Sequence, residues 1–255
     1  MIVNRASNMG STTKSFQLLQ AIALSGTRGA TFSEIVRLTT VPKSSAHRLL
    51  NELADIGAVR YNSSSKTYAG GLLLARLGGS VTANYDIRRT VRPHLRKLHD
   101  ETGHTVTLGI RDGDHGVYID KIEKQDFGIR LHSEIGKAFP LHCTGIGKAL
   151  LAQLSPGLLA TTLPKRLEAF TRDTITSKKK LRAILAEIRE RGYALDDGEI
   201  TRGLLCIAAP VFGPNGAAAG ALSCTFPNYI RDEIGIEKEV QAVLQAAAAA
   251  SGQVV

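Results

Sequence analysis

The chain has 255 residues, room for one large domain or two modest ones. Hydrophobic residues make up 43% and charged residues 22%, which excludes a disordered or fibrous chain. Lys and Arg outnumber Asp and Glu 32 to 23, a formal net charge of +9 that suits a polyanionic partner such as nucleic acid. The excess is uneven: residues 1–80 hold nine cations against three acids, and the rest of the chain is nearly balanced at 23 against 20. Cys143, Cys206 and Cys224, an odd number at wide spacing, argue against a disulfide framework and for a reducing compartment. No CxxC pair occurs, so a zinc finger is not expected. Residues 1–10 lack the apolar core of a signal peptide, and the longest apolar runs, 204–209 and 246–250, are too short for a bilayer. The expectation is a cytoplasmic protein with no membrane partner.

Residues 13–23 carry Phe16, Leu18, Leu19 and Ile22 at helical spacing, ended by the glycines at 26–29. Thr31-Phe32-Ser33-Glu34 has the capping-box pattern and opens a short second helix. Thr39-Thr40-Val41 is the turn, and Pro42 is expected at the first position of a third helix, where a missing N–H is tolerated. On that helix Ala46, Leu49, Leu50 and Leu53 share one face, so Ser44, His47, Arg48 and Asn51 point outward. Two helices across a tight turn, the second exposing such groups, make a helix-turn-helix candidate for a major groove. Residues 59–61 and 67–68 read as short strands around a polar hairpin at 62–66, a candidate wing. On this reading Lys14 and Lys43 meet phosphates, and Ser44, Ser45, His47 and Arg48 meet base edges or phosphates. Arg60 and Lys66 meet the flanking backbone of double-stranded operator DNA. The plain structural alternative is a trihelical domain with a solvated polar face.

Residues 70–80, apolar with small side chains, suggest a joining helix. Residues 86–101 repeat Ile87, Val91, Leu95 and Leu98 at helical spacing, with Pro93 implying a kink or a late start. The period then changes to two. Val106, Leu108 and Ile110 alternate, Asp112-Gly113-Asp114 turns the chain, and Val117 and Ile119 alternate again. Ile129 and Leu131 suggest another strand. Residues 204–212 and 217–226, joined by Pro214-Asn215-Gly216, form a second hairpin. Helices are expected from about Ser177 and over 232–249. Hairpins interleaved with helices favour an α+β domain with a mainly antiparallel sheet.

Three stretches of this second part carry chemistry. In Pro140-Leu141-His142-Cys143-Thr144-Gly145-Ile146-Gly147-Lys148, Thr144 is a plausible N-cap, which leaves amides at Gly145 and Ile146 for an anion such as a small carboxylate. It is not a Walker A loop, and the glycines can equally serve helix-to-sheet packing. Asp196-Asp197-Gly198-Glu199 precedes an apolar strand, and Ser223-Cys224-Thr225 sits on its partner. Alternation puts Ser223 and Thr225 on one face, with Cys206 or its neighbours alongside. Hydroxyls, a carboxylate and helix-end amides around a small apolar cavity suit an oxygen-rich small molecule. A solvated acidic turn and a core hydroxyl are the plain alternatives.

The run from Val41 through Pro42-Lys43-Ser44-Ser45-Ala46-His47-Arg48 to Leu50 resembles the DNA-binding part of IclR-type bacterial transcription regulators. So do Gly57 within residues 53–59, and Tyr68-Ala69-Gly70-Gly71-Leu72-Leu73-Leu74. The three later stretches, in this order, resemble the effector-binding domain of the same family. The resemblance spans about residues 13–227. It implies a mainly α N-terminal winged helix-turn-helix (residues 1–70), a linker helix (71–85) and an effector-binding and oligomerisation domain (86–255). The last is an α+β domain, an antiparallel sheet flanked by helices and similar to GAF or profilin-like folds. It also implies homodimers or homotetramers on operator sites and a small-molecule effector. The family's ligand contacts fall on Gly145, Ile146, Asp196, Cys206, Ser223 and Thr225. Its apolar pocket wall falls on Gly128, Leu131, Phe139 and Leu204. Gly128 stands where a bulkier side chain can occur, which enlarges the expected pocket, and Thr225 stands where Ser is frequent. The effector expected is a short oxo acid or an aromatic carboxylate or acyl compound. Repression and activation are not distinguished at this level.

An enzyme using Cys143 beside His142 is the main competing class, but no GxSxG elbow occurs and sequence neighbours need not meet. A metal or redox sensor built from the three Cys and His142 fits no standard ligand spacing. No catalytic residue, cofactor or metal is therefore expected.

Overall fold

The computed structural model describes residues 9–83, 86–123 and 133–254. The chain divides into two units, Met1–Thr82 and Ala83–Val255.

In the first unit, α1 (Ser11–Leu24) buries Leu18, Ala21 and Ile22, and a 3-10 turn at Gly26–Arg28 redirects the chain. β1 (Ala30–Thr31) runs straight into α2 (Phe32–Leu38) through the capping box. The Thr31 hydroxyl accepts the Glu34 amide, and the Glu34 carboxylate accepts the Thr31 amide at 2.8 Å. That amide, with Arg28 beside it, holds the Glu34 carboxyl down at about 2. α3 (Lys43–Asp55) begins one residue later than expected. Pro42 is its N-cap, with ψ of 142°, and offers its carbonyl to the Ala46 amide at 2.8 Å. A fixed proline φ suits the cap as well as the first helical position, so sequence does not separate the two. Ala46, Leu49, Leu50 and Leu53 close a core with Leu18, Ile22, Ile35 and Val41. Each such leucine-sized side chain withdrawn from water stabilises the unit by roughly 1.5–3 kcal/mol.

β2 (Val59–Asn62) and β3 (Thr67–Gly70) form the expected hairpin, and β1 joins it, giving the order β1-β3-β2. The two-residue β1 carries no alternation that sequence could reveal. At the tip the Asn62 side-chain oxygen accepts the Ser64 and Ser65 amides, and Lys66 takes a left-handed φ of 53°. Gly71 is required by close approach, since a Cβ there would lie 2.1 Å from the Gly57 carbonyl oxygen. α4 (Leu72–Ala83) follows. Its Leu73 and Leu74 pack on the core, while Leu72 and Leu77 stand exposed.

The second unit opens with α5 (Asp86–Thr102), which runs through Pro93 without a late start. Val91, Leu95 and Leu98, all fully buried, hold it on the sheet from both sides of the proline. β4 (Thr105–Asp112), β5 (His115–Ile122) and the short β6 (Ala138–Pro140) come next. They are followed by α6 (Gly145–Leu151), α7 (Pro156–Thr162) and α8 (Lys178–Arg191), the last capped by Ser177. β7 (Ala194–Asp197), β8 (Leu204–Phe212) and β9 (Ala218–Pro227) complete an antiparallel sheet of order β6-β5-β4-β9-β8-β7. The expected single last helix over 232–249 is two: α9 (Tyr229–Ile234) and α10 (Glu237–Ala250). Gly235, at φ +79°, separates them and donates its amide back to the Arg231 carbonyl. Apolar spacing alone passes over such a break. Ile129 and Leu131, expected as a strand, lie outside the described residues.

Period-two alternation sorts the sheet into two faces. Val106, Leu108, Leu205, Ile207, Leu222, Cys224 and Phe226 pack against α5 and α10. Ala208 and Ala221 turn to the other face, where α6 and α8 build a second core with Leu150, Leu181 and Leu185. The intervening polar residues of that face, Thr107, Asp196, Cys206, Ser223 and Thr225, are the raw material of a pocket.

Candidate functional site

The outer face of α3 is polar and open: Lys43, Ser44, His47 and Arg48 are exposed and Ser45 is half-buried. Arg48 pairs with Glu52 one turn on, and His47 sits edge-on to Phe32 with ring centroids 6.0 Å apart. Arg60 on β2 and Lys66 at the hairpin tip are exposed, and Lys14 on α1 is half-buried. The first unit thus presents a helix bearing cations and hydroxyls, with a basic hairpin following it in the chain.

The second unit holds a cleft enclosing about 500 Å³, part of it open to solvent. Seven residues expected from sequence line it together: Gly145, Ile146, Asp196, Leu204, Cys206, Ser223 and Thr225. Strand register explains the convergence. Asp196 is opposite Cys206, Cys206 opposite Thr225, and Ala208 opposite Ser223, so these groups run across three strands on one face. Phe139 stands behind this wall, buried and 4.3 Å from the Tyr118 ring. Gly128 and Leu131 lie outside the described residues.

Sequence reading missed Thr107, Tyr118, Ser133, Ile200 and Thr201, which also line the cleft. Thr107 was within reach of it: it alternates with Val106 and Leu108 and pairs with Ser223, their hydroxyls 2.7 Å apart. Ile200 and Thr201 arrive on a loop, where no periodicity guides a reading.

At the head of α6 the Thr144 hydroxyl accepts the Gly147 amide. The Gly145 and Ile146 amides, in the first turn, have no intrahelical acceptor. Gly145 also serves packing, because a Cβ there would lie 2.9 Å from the Cys206 sulfur and 3.3 Å from Ala208. In the acidic turn at the end of β7, Asp196 and Glu199 are buried while Asp197 is exposed. Glu199 is ion-paired to the buried Lys148 of α6, and its carboxylate also accepts the Ile175 amide. Thr174 caps the Glu199 carbonyl at 2.6 Å, and the Glu199 amide reaches Asp196 at 2.9 Å. Burial pushes the Asp196 carboxyl up to about 7 against the lowering pull of Lys148, with Glu199 adding to the rise. Burial likewise raises the Cys206 thiol to about 11 and the Cys143 thiol and Tyr118 phenol further.

Thiols so raised carry almost no thiolate, which disfavours a cysteine nucleophile. His142 faces away from the cleft, its Nε2 2.9 Å from the Glu168 carbonyl and its ring 6.2 Å from that of Phe170. Cys206 and Cys224 lie on opposite faces of the sheet, and no group of three or more metal-ligating side chains occurs among the described residues. No helix among the described residues is long and apolar enough to cross a membrane.

A winged helix-turn-helix with an exposed polar recognition helix, followed by an α+β unit with a polar cleft, defines a DNA-binding regulator with a sensor domain. Residues 11–63 match the IclR helix-turn-helix domain, and residues 79–252 match the bacterial transcriptional regulator IclR C-terminal domain. The chain belongs to the IclR family of bacterial transcription regulators. It is 36% identical over 235 residues to the HTH-type transcriptional regulator BhcR of Paracoccus denitrificans, covering 92% of this chain and 83% of that one. It is 34% identical over 247 residues to KdgR of Escherichia coli, covering 96% and 93%. It is also 34% identical over 220 residues to the transcriptional repressor IclR of Escherichia coli, covering 85% and 80%. Its fold matches the IclR transcriptional regulator of Alicyclobacillus acidocaldarius with a TM-score of 0.82, at 27% identity, over 96% of this chain and 98% of that one. The family and these relatives are transcription regulators, not enzymes.

Proposed function

We propose that a small carboxylate or aromatic acyl metabolite, bound in the cleft of the second unit, controls how tightly the first unit holds its operator. One observation carries this reading: Gly145 and Ile146, at the head of α6, line one partly open cleft together with Thr107, Ser223 and Thr225. Such a set offers several donors to carboxylate oxygens, while Leu204 and Ile146 supply apolar contact for the remainder. Phe139 forms a second layer behind that wall.

On the DNA side, α3 enters a major groove with Ser44, Ser45, His47 and Arg48 toward base edges or phosphates. Lys14, Lys43, Arg60 and Lys66 neutralise phosphates. The protein acts as a homodimer or homotetramer, and exposed Leu72 and Leu77 on α4 and Phe16 and Leu24 on α1 are apolar surface for a second copy. Regulation requires the ligand to bind the DNA-competent and DNA-released states with different affinity.

Thermal unfolding with pyruvate, a short oxo acid, and benzoate, an aromatic one, tests the ligand class. Ligand at a hundred times its Kd stabilises the native state by about 2.7 kcal/mol, a rise of several degrees in Tm. If neither acid raised Tm more than its uncharged amide does, the carboxylate reading would fail.

A further inference from the structure

Among the described residues, the charges of the cleft do not match an anionic ligand. Asp196 lines it with only 4% of its surface exposed, and its side chain accepts the Glu199 amide. The groups that face it come from five places. Lys148 belongs to α6, Glu199 to the loop after β7, Cys206 to β8, Tyr118 to β5 and Cys143 to the loop before α6. Lys148 is the one cation among these groups, and Glu199 already holds its ammonium. Among the described residues, with that pair neutral, Asp196 leaves one negative charge in excess, and the hydroxyls of Ser223, Thr225 and Thr107 add none of the opposite sign.

We propose that the cleft takes up one proton from solvent, onto the Asp196 carboxyl, each time it binds its carboxylate ligand. This rests on the carboxylate reading of the same site. The step balances simply: ligand anion, Asp196 carboxylate and one proton give a complex with a neutral Asp196 and a single net negative charge. Protonation also changes what Asp196 can do. An ionised carboxylate only accepts hydrogen bonds, whereas the protonated acid donates one, adding a donor for the ligand where there had been repulsion. Burial already raises this carboxyl to about 7 in the free protein, and a ligand anion beside it raises it further. Simple carboxylates stay ionised through the neutral range, so the pH dependence belongs to the protein. Affinity is flat below the free carboxyl's pKa and weakens above it, approaching tenfold per pH unit. Between about pH 6 and about pH 8.5 the Kd for a carboxylate rises about thirtyfold.

The test is calorimetric titration of the full chain with benzoate and with pyruvate at about pH 8, in phosphate and in Tris. These buffers differ in ionisation heat, so the difference in observed heat counts protons. The expected count approaches one proton taken up per ligand, and Asp196→Asn abolishes both the uptake and the pH dependence of Kd. Glu199→Gln, which leaves the Lys148 charge for Asp196 and the ligand, reduces the uptake; the wild-type count needs no variant to fold. Binding without proton uptake would overturn the coupling and leave the carboxylate reading standing. Uptake that persists in Asp196→Asn would overturn the assignment to this residue. No binding of either acid at any pH would overturn the coupling and the carboxylate reading together.

Discussion

Replacing Lys148 with Met removes the one cation from a buried cluster while keeping most of the aliphatic stem that fills the space. Lys148 is 2% exposed and Glu199 5%, so in the variant Glu199 and its neighbour Asp196 share a buried site with no counter-charge from the described residues. Breaking one side of a buried pair costs about 3–5 kcal/mol, and the similar volume of Met keeps any cavity cost small. The loss is pH-dependent in a defined direction. Lys148 now holds the Asp196 carboxyl down, so without it that carboxyl rises above its present value of about 7. A carboxyl raised in the native state binds protons that the unfolded state has released, so its stabilising protonation fades as pH climbs through the raised value. The variant should therefore lose several kcal/mol at about pH 8. At about pH 5, where a carboxylate can take a proton, it should lose only the roughly 1.5–3 kcal/mol of a charged hydrogen bond. Urea unfolding followed by circular dichroism at the two pH values measures both, and Lys148→Met with Glu199→Gln should recover much of the loss. A penalty below about 1 kcal/mol at both pH values, or a larger one on the acid side, would refute the buried-pair reasoning.

Other substitutions separate the two units. Gly145→Ala places a methyl 2.9 Å from the Cys206 sulfur at the head of α6; it should cost about 1–3 kcal/mol and weaken carboxylate binding at least about tenfold. DNA affinity without ligand should stay as in the parent protein, as filter binding or anisotropy would show. Thr31→Ala removes the hydroxyl of the α2 capping box and should lower the stability of the first unit by about 1 kcal/mol in thermal unfolding. Arg48→Ala should weaken operator binding and reduce the slope of log affinity against log salt by about one; an unchanged slope would remove Arg48 from the phosphate contacts.

Helix faces, both main hairpins and the α+β character were legible because each rests on a period, 3.6 or 2, repeated over enough residues to be read. Thr31 with Glu34, and Thr144 with the amide of Gly147, were legible because capping is local, complete within four residues. Short β1 and β6 were not, since two or three residues carry no alternation, and β7 lacks the polar hairpin turn that marked the equally short β2 and β3; pairing partners across the sheet define all three. The cleft was legible where strand alternation fixes direction, at Cys206, Ser223 and Thr225. It was illegible at Ile200 and Thr201, which a loop delivers. The Lys148 to Glu199 pair joins residues 51 positions apart, so no local pattern announced it. Without it the solvated turn stood as the plain alternative for a stretch whose Asp196 and Glu199 are buried.

The most direct measurement is the affinity of the full chain for its own upstream DNA, read by fluorescence anisotropy at fixed salt with and without saturating benzoate or pyruvate. A change of about fivefold or more is expected, with the ligand bound correspondingly differently to the DNA complex, and Gly145→Ala should lose the response. Equal affinity with and without an acid that demonstrably occupies the cleft would contradict ligand control of DNA binding.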